Sequence, residues 1–436
     1  MPPFSATPDS AYNQFAAGTL RLALRPLQAI VAAPTLMFLA ALAAMLLHHP
    51  DVRLYEINRI TFILLVLAVV GRAVVFRQRL LVLERASWPM IGLTLLAVGS
   101  IISLPFDSET WTLLAAKFVV PFMVFHLARL VFTDEKRLRQ FEVFTLVVLA
   151  YLSFTAIAFL VGARSLIFPK FILDETLGIH AERARGPFLQ AVANGVSLNL
   201  LAVLALHAYR RGRVRGLAIV ALLASVPIAI LATMTRAVWL SFAGTMLALI
   251  FLSRNRMLRR AGLGLALVAA TGLAVVLSSP ALTRAMGDRL TDSRPVEYRE
   301  TVYAAGWQMF LERPLTGWGF HQMPAELPRY VGDCPEKVLY PHNTYLEVLV
   351  EEGVLGFALY LWLMWELLRL GRGPIPTLEK KGFLDQEFHR IWPILLAVYC
   401  VNAAVVVMSY HFVNCLLFAI AGMLAAQQYR SKAVPC

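Results

Sequence analysis

The sequence predicts an all-α polytopic membrane protein, and three observations predict it. Hydrophobic residues make up 59% of the 436 residues and charged residues 15%, against roughly 45–50% apolar and about 25% charged in soluble domains. The apolar residues gather into about twelve runs near the ~20 residues that carry a helix across a bilayer. The basic residues lie in short clusters between those runs, which is how membrane topology is written. Disordered, collagen-like and coiled-coil classes are excluded. Four cysteines in a chain of this length exclude a disulfide scaffold. The net charge of +13 does not point to nucleic acid, because it forms no stripe on a soluble face.

In chain order the runs cover 27–47, 59–76, 88–104, 111–132, 141–162, 188–208, 216–232, 237–252, 261–279, 352–370, 391–408 and 412–428. Polar or mixed residues precede the first run and no small-residue cleavage site closes it, so it reads as an uncleaved span. Arg72, Arg77, Arg79 and Arg85 follow the second run, and Arg129, Lys136, Arg137 and Arg139 the fourth. Arg210, Arg211, Arg213 and Arg215 follow the sixth, and Arg254, Arg256, Arg259 and Arg260 the eighth. Arg369, Arg372, Lys380, Lys381 and Arg390 follow the tenth, with Arg21, Arg25, Arg430 and Lys432 at the ends. All fall on one side of an even-numbered bundle. The positive-inside rule makes that side cytoplasmic, with both termini inside and Cys334 outside. The stretch from Ile391 to Arg430 is too long for one span, and Ser409-Tyr410-His411 is the expected turn. Residues 1–279 are therefore expected to hold nine spans, 280–351 a large outer loop that carries candidate catalytic residues, and 352–436 the last three spans. In the large loop Pro295, Pro314, Pro324, Pro328, Pro335 and Pro341, with Trp307 and Trp318, predict short helices joined by turns.

The outer side is where chemistry is expected. An outward surface should be poor in positive charge, yet this one carries Arg164, Arg183, Arg185, Arg236, Arg284, Arg289, Arg294, Arg299, Arg313 and Arg329. Arginine's planar fork matches phosphate oxygens and stays charged, so an outer site for a di-anionic or diphosphate ligand is expected. Lipid headgroup pairing and loop solvation account for most of these arginines, leaving three or four for function. Arg236 sits in the tight turn Thr233-Met234-Thr235-Arg236 between two short spans, where a charge needs a partner. Lys117 lies inside the fourth span, six residues past Trp111. It either snorkels outward or faces the bundle and holds an anion. The outer histidines are His180, His321, His342 and His411. In Tyr340-Pro341-His342-Asn343-Thr344-Tyr345, Asn343 or Thr344 can cap the following helix. That cap would fix the His342 imidazole, a potential general base, at the outer face. An interfacial histidine taken alone is more often structural. No HExxH, CxxC pair or Walker loop occurs and no acidic metal pair stands out, so neither a metal nor a cofactor is expected. Gly317-Trp318-Gly319 reads as a tight turn. Charge within the spans is sparse, which argues against an ion pump or proton-coupled transporter.

Three segments together resemble the O-antigen ligase family of bacterial inner-membrane glycosyltransferases, within the ligase/polymerase superfamily. Arg236-Ala237-Val238-Trp239-Leu240 fits an Arg-x3-Leu motif that opens a span after a short outer turn. Arg299 through Trp307, continuing to Arg313-Pro314-Leu315-Thr316-Gly317-Trp318-Gly319, is similar to the family's arginine, tryptophan and Pro-x-x-Gly-x-Gly run. His342-Asn343, nine residues, then Gly353-Val354-Leu355-Gly356 fits His-Asn-x9-Gly-x-x-Gly. The resemblance extends over residues 180–370, and the N-terminal half is similar in hydropathy alone.

The resemblance implies a fold similar to that of C-type membrane glycosyltransferases. It also implies transfer of polysaccharide from an undecaprenyl diphosphate-linked O-antigen donor to a lipid A-core acceptor, at the periplasmic leaflet of the inner membrane. Membrane lipids are then partners and nucleic acid is not. The roles expected are His342 as general base, Arg236, Arg183 and Arg185 on the diphosphate, Arg299 and Lys117 as further anion ligands, and Asn343 as the residue that orients the histidine or caps its helix. The alternatives are an O-antigen polymerase or protein O-oligosaccharyltransferase of the same superfamily and, from another class, a lipid-linked glycan flippase. A flippase would need charge from many spans lining a central cavity, whereas here charge gathers in the outer loops.

Overall fold

The computed structural model describes residues 33–48, 57–77, 80, 82–278, 284, 287, 291, 293–331, 339–373 and 382–433. Expectations for Arg21, Arg25, Arg79, Arg289, Cys334, Lys380 and Lys381 lie outside the described residues. Among the described residues the chain is helical and contains no strand. The helices are α1 (Pro34–Leu46), α2 (Ile57–Val75), α3 (Ser87–Ile101), α4 (Ser108–Val131), α5 (Glu135–Leu160), α6 (Ala191–Arg210), α7 (Leu217–Ala232), α8 (Arg236–Phe251), α9 (Arg256–Ser278), α10 (Arg294–Glu312), α11 (Thr344–Leu370), α12 (Gln386–Ala403) and α13 (His411–Ala433). Among the described residues each apolar run overlaps a helix. Among the described residues seven helices (α2, α4, α5, α6, α9, α11 and α13) are long and apolar enough to cross a membrane, and α1, α3, α7 and α8 are shorter apolar helices.

Local chemistry sets several helix starts. Asp107 accepts from the Glu109 and Thr110 N–H groups at 3.3 and 2.9 Å to open α4. Asp134 and Asp385 do the same for α5 and α12, each at 2.9 Å. Such caps satisfy donors that a helix end leaves unpaired and contribute about 1 kcal/mol each. The helix α6 is the hub, with 94% of its apolar window buried, whereas α9 is peripheral at 17%. It packs against α5, α7, α8 and α12, while α13 packs on α4 and α11 on α3. Two close approaches require glycine. A Cβ on Gly422 of α13 would stand 2.2 Å from the Phe125 carbonyl oxygen of α4. A Cβ on Gly195 of α6 would stand 2.3 Å from Val238, in the first turn of α8.

Side-chain links sort the helix ends into two faces. On one, Arg129 pairs with Glu84 at 3.3 Å, Arg211 with Glu135 and Glu142 at 2.5 and 2.9 Å, and Arg210 with Asp385. This face gathers the basic clusters that follow even-numbered spans. On the other, Ser100 accepts from the Phe320 N–H at 2.9 Å, and Thr344 donates to the Val406 carbonyl at 2.8 Å. The candidate residues lie at this second face.

Two expectations change. The helix α11 begins at Thr344 rather than near 352, because Asn343 caps it and the acidic residues of its first turns are drawn into the interior. The large outer loop is not a set of short helices alone. It contains the 19-residue α10, whose Val302, Ala305, Met309 and Phe310 form a second small core with Met323, Leu327 and Val350.

Candidate functional site

Arg236 is the first residue of α8. Its turn is held by Trp239, whose indole N–H donates to the Ile230 carbonyl at 3.1 Å, and by Thr235, whose hydroxyl donates to Thr233 at 2.8 Å. Burial of Val238 against Gly195 fixes the depth of this end. Among the described residues the half-buried Arg236 guanidinium has no ion-pair or side-chain hydrogen-bond partner. A half-buried charge without a partner is costly and is the arrangement expected where an anion binds.

His342 lies just before α11 with φ at +45°, a conformation that L residues seldom adopt. His180, His321 and Met234 also have positive φ, so strained backbone gathers at this face. Asn343 accepts from the Tyr345 and Leu346 N–H groups at 2.9 and 3.1 Å. Of its two expected roles it performs the cap. The His342 ring stands edge-on to Tyr298 at 5.8 Å, and its carbonyl accepts from the Tyr303 hydroxyl at 3.4 Å. Among the described residues neither ring nitrogen has a hydrogen-bond partner. Burial lowers the imidazole pKa, and the charges of Arg299 and His180 lower it further. The ring is thereby held neutral and able to accept a proton. Arg299, on α10, is half-buried and has no ion-pair partner among the described residues.

The 180–187 segment joins these groups. The Ala184 N–H donates to the Ala232 carbonyl at 3.1 Å, tying the segment to the turn that presents Arg236. The Arg183 N–H donates to the His180 carbonyl at 3.1 Å, and its guanidinium lies 3.3 Å from Glu182. Arg185 departs from expectation. Its side chain is 1% exposed and donates to the carbonyls of Ile172, Asp174 and Leu177. These bonds hold the 171–177 loop. Three of the five N–H donors of Arg185 are thereby held by backbone oxygens on a buried side chain.

Lys117 takes the second of its two expected positions. It faces the bundle from a π-helical turn, Ala115–Val119, and its ammonium lies 2.5 Å from Glu347. The anion it holds is the protein's own carboxylate. Glu351 and Glu352, on the same helix, are 2% and 4% exposed, and each has one buried carboxyl oxygen without a partner. Charge in the spans is therefore not uniformly sparse. The i, i+4 spacing of Glu347 and Glu351 put both on one helix face. That spacing was the available signal, which low hydropathy around these acids obscured.

The glycines of the two loop motifs meet. Gly353 interrupts α11 with φ 65° and ψ −166°. The Val354 N–H donates to Pro314 at 2.8 Å, Trp318 to Val350 at 2.9 Å and Gly319 to Glu351 at 2.8 Å. A Cβ on Gly317 would stand 2.4 Å from the Glu351 carbonyl oxygen, and one on Gly353 would stand 2.3 Å from that of Leu315. The Pro-x-x-Gly-x-Gly run is thus a strap over the break in the helix that His342 precedes. Among the described residues no group of three or more His, Cys, Asp or Glu is arranged to hold a metal ion.

Residues 219–361 match the family model described as O-antigen ligase. The match takes in Arg236, Arg299, the glycine strap and His342, and leaves Lys117, Arg183 and Arg185 outside it. No curated protein matches the chain.

Proposed function

From the O-antigen ligase family, which the match over residues 219–361 supports, we propose a twelve-span glycosyltransferase of the bacterial inner membrane with its active site facing the periplasm. It transfers O-antigen polysaccharide from undecaprenyl diphosphate to the lipid A-core. His342 takes the proton from the acceptor hydroxyl as that oxygen attacks the anomeric carbon. The bond from that carbon to the diphosphate oxygen breaks, undecaprenyl diphosphate leaves with the electron pair, and the configuration inverts. Arg236 and Arg299 neutralise the charge that develops on the leaving group. Arg183 joins them by way of the Ala184–Ala232 link. Because arginines do the neutralising, the reaction needs no divalent metal.

The observation that carries this reading is the pairing of opposite requirements at one place. The half-buried Arg299, without an acidic partner among the described residues, acts on a histidine whose own environment keeps it neutral. The 180–187 segment runs from His180, which also acts on that histidine, to the turn that presents the half-buried Arg236. The test is reconstitution of the purified protein with lipid-linked O-antigen and lipid A-core, with and without chelator. Glycan-bearing core and free undecaprenyl diphosphate, formed at the same rate in EDTA, are expected. Elongation of the lipid-linked glycan without transfer to the core would assign a polymerase instead.

A further inference from the structure

A cleft of ≈ 640 Å³ opens at the same face, between the connection from α3 to α4 and the turn at Met323. Its size falls within the roughly 300–1,000 Å³ of small-molecule sites. The lip is apolar. Ile101, Leu104 and Pro105 line it, and the adjoining Ile102 and Phe106 are 69% and 79% exposed. Exposed apolar side chains at a helix end of a membrane protein face lipid. The rest of its lining is polar and aromatic, with Glu109, Trp111, His321, Gln322 and Tyr340. Asp107 also lines it, but its carboxylate is engaged by Thr110. Among the described residues the side chains of Glu109 and Gln322 have no hydrogen-bond partner.

The cleft connects to the candidate base. The Tyr298 hydroxyl donates to the Tyr340 carbonyl at 3.2 Å and accepts from the Tyr340 N–H at 2.9 Å. The Tyr298 ring is the one that stands against His342. Tyr340 therefore borders both the cleft and the approach to His342. The two sides of this approach differ in charge. Arg299 and His180 act on His342, whereas the cleft presents carboxylates. Carboxylates repel a diphosphate and accept hydrogen bonds from sugar hydroxyls. An amide both donates and accepts, and aromatic faces cover the apolar faces of sugar rings.

We infer that this cleft binds the saccharide head group of the acceptor glycolipid, with its lipid part lying along the apolar lip at Ile102 and Phe106. The inference rests on the glycosyltransferase reading and names where the second substrate sits. It divides the site into an arginine side for the donor's diphosphate and an acidic, aromatic side for uncharged hydroxyls. Glu109 and Gln322 are then specificity-determining residues.

Binding tests this without requiring turnover. Full-length protein in nanodiscs would be titrated with labelled lipid A-core from a strain lacking O-antigen and, separately, with undecaprenyl diphosphate. Glu109→Gln and Gln322→Ala change accessible side chains, so folding can be checked by monodispersity and thermal stability. Each variant is expected to weaken glycolipid binding about tenfold or more, as for loss of a hydrogen bond to a charged or buried polar group. Undecaprenyl diphosphate binding is expected to stay as in the unmodified protein. Unchanged glycolipid affinity in the double variant would overturn the assignment. So would loss of diphosphate binding in its place, which would give the cleft to the donor. A protein that binds glycolipid through these residues but transfers nothing would retain the cleft and contradict the proposed reaction alone.

Discussion

Replacing Gly353 by alanine tests the strap that holds the break in α11. The residue sits at φ 65° and ψ −166°, a region open essentially to glycine, where another residue costs on the order of 1–3 kcal/mol. The new Cβ would also stand 2.3 Å from the Leu315 carbonyl oxygen, closer than any real contact. Relief requires the 313–319 strap to move away. That motion breaks the hydrogen bonds from Val354 to Pro314 at 2.8 Å and from Leu355 to Leu315 at 3.3 Å, each contributing about 1 kcal/mol net. The sum is about 3–5 kcal/mol, large for a single added methyl group. Hydrogen exchange in nanodiscs is the assay. Amides of Val354 and Trp318 should lose protection, and the thermal midpoint should fall. Gly317→Ala attacks the same contact from the other side, so the double variant should cost less than the two singles added. Gly244→Ala is the control, since nothing lies within 4 Å of its added Cβ. A Gly353→Ala protein with native protection and native thermal stability would refute the strap.

Lys117→Ala should destabilise by about 3–5 kcal/mol because it leaves Glu347 buried without its cation. Lys117→Met combined with Glu347→Gln should recover most of that loss, whereas simple additivity in thermal unfolding would count against the pairing. For pH, His342 acts as a base only when neutral, so activity falls as pH drops through its lowered pKa. Arg299→Ala removes a charge that disfavours the imidazolium, so the pKa rises and the acid limb of kcat/KM moves to higher pH; an unmoved limb would separate Arg299 from the base. Arg236→Lys keeps the charge and loses the fork, so weaker donor binding and slower transfer are expected, and unchanged values would leave Arg236 as an interface anchor.

The helices were legible because lipid imposes a simple rule: a span must be apolar and must satisfy its own backbone. The same rule hid the acids of α11. Glu347, Glu351 and Glu352 lower the local hydropathy, so the run read as starting near 352, while partners distant in sequence permit the helix to begin at Thr344. Lys117 and Glu347 are joined across 230 positions, a pairing that spacing along one chain does not disclose. The partners of Arg185 were hidden for a related reason. Its residue type fits phosphate, but three carbonyls of a neighbouring loop reach it first. Arg183 and Arg185 differ by two positions and meet different partners, a carboxylate and backbone carbonyls, and composition cannot separate them. The motif glycines were readable as turns. Their meeting across the strap needed the tertiary structure.

The most direct measurement is the turnover of a His342→Ala protein in the reconstituted transfer of lipid-linked glycan to lipid A-core, beside His321→Ala. A positioned general base contributes typically 10²–10⁴-fold. His342→Ala should therefore fold, bind the donor and lose about that factor in kcat, while His321→Ala, which lines the acceptor cleft and not the base position, loses much less in kcat. Near-normal transfer by the His342→Ala protein would contradict the account and return that residue to a structural role.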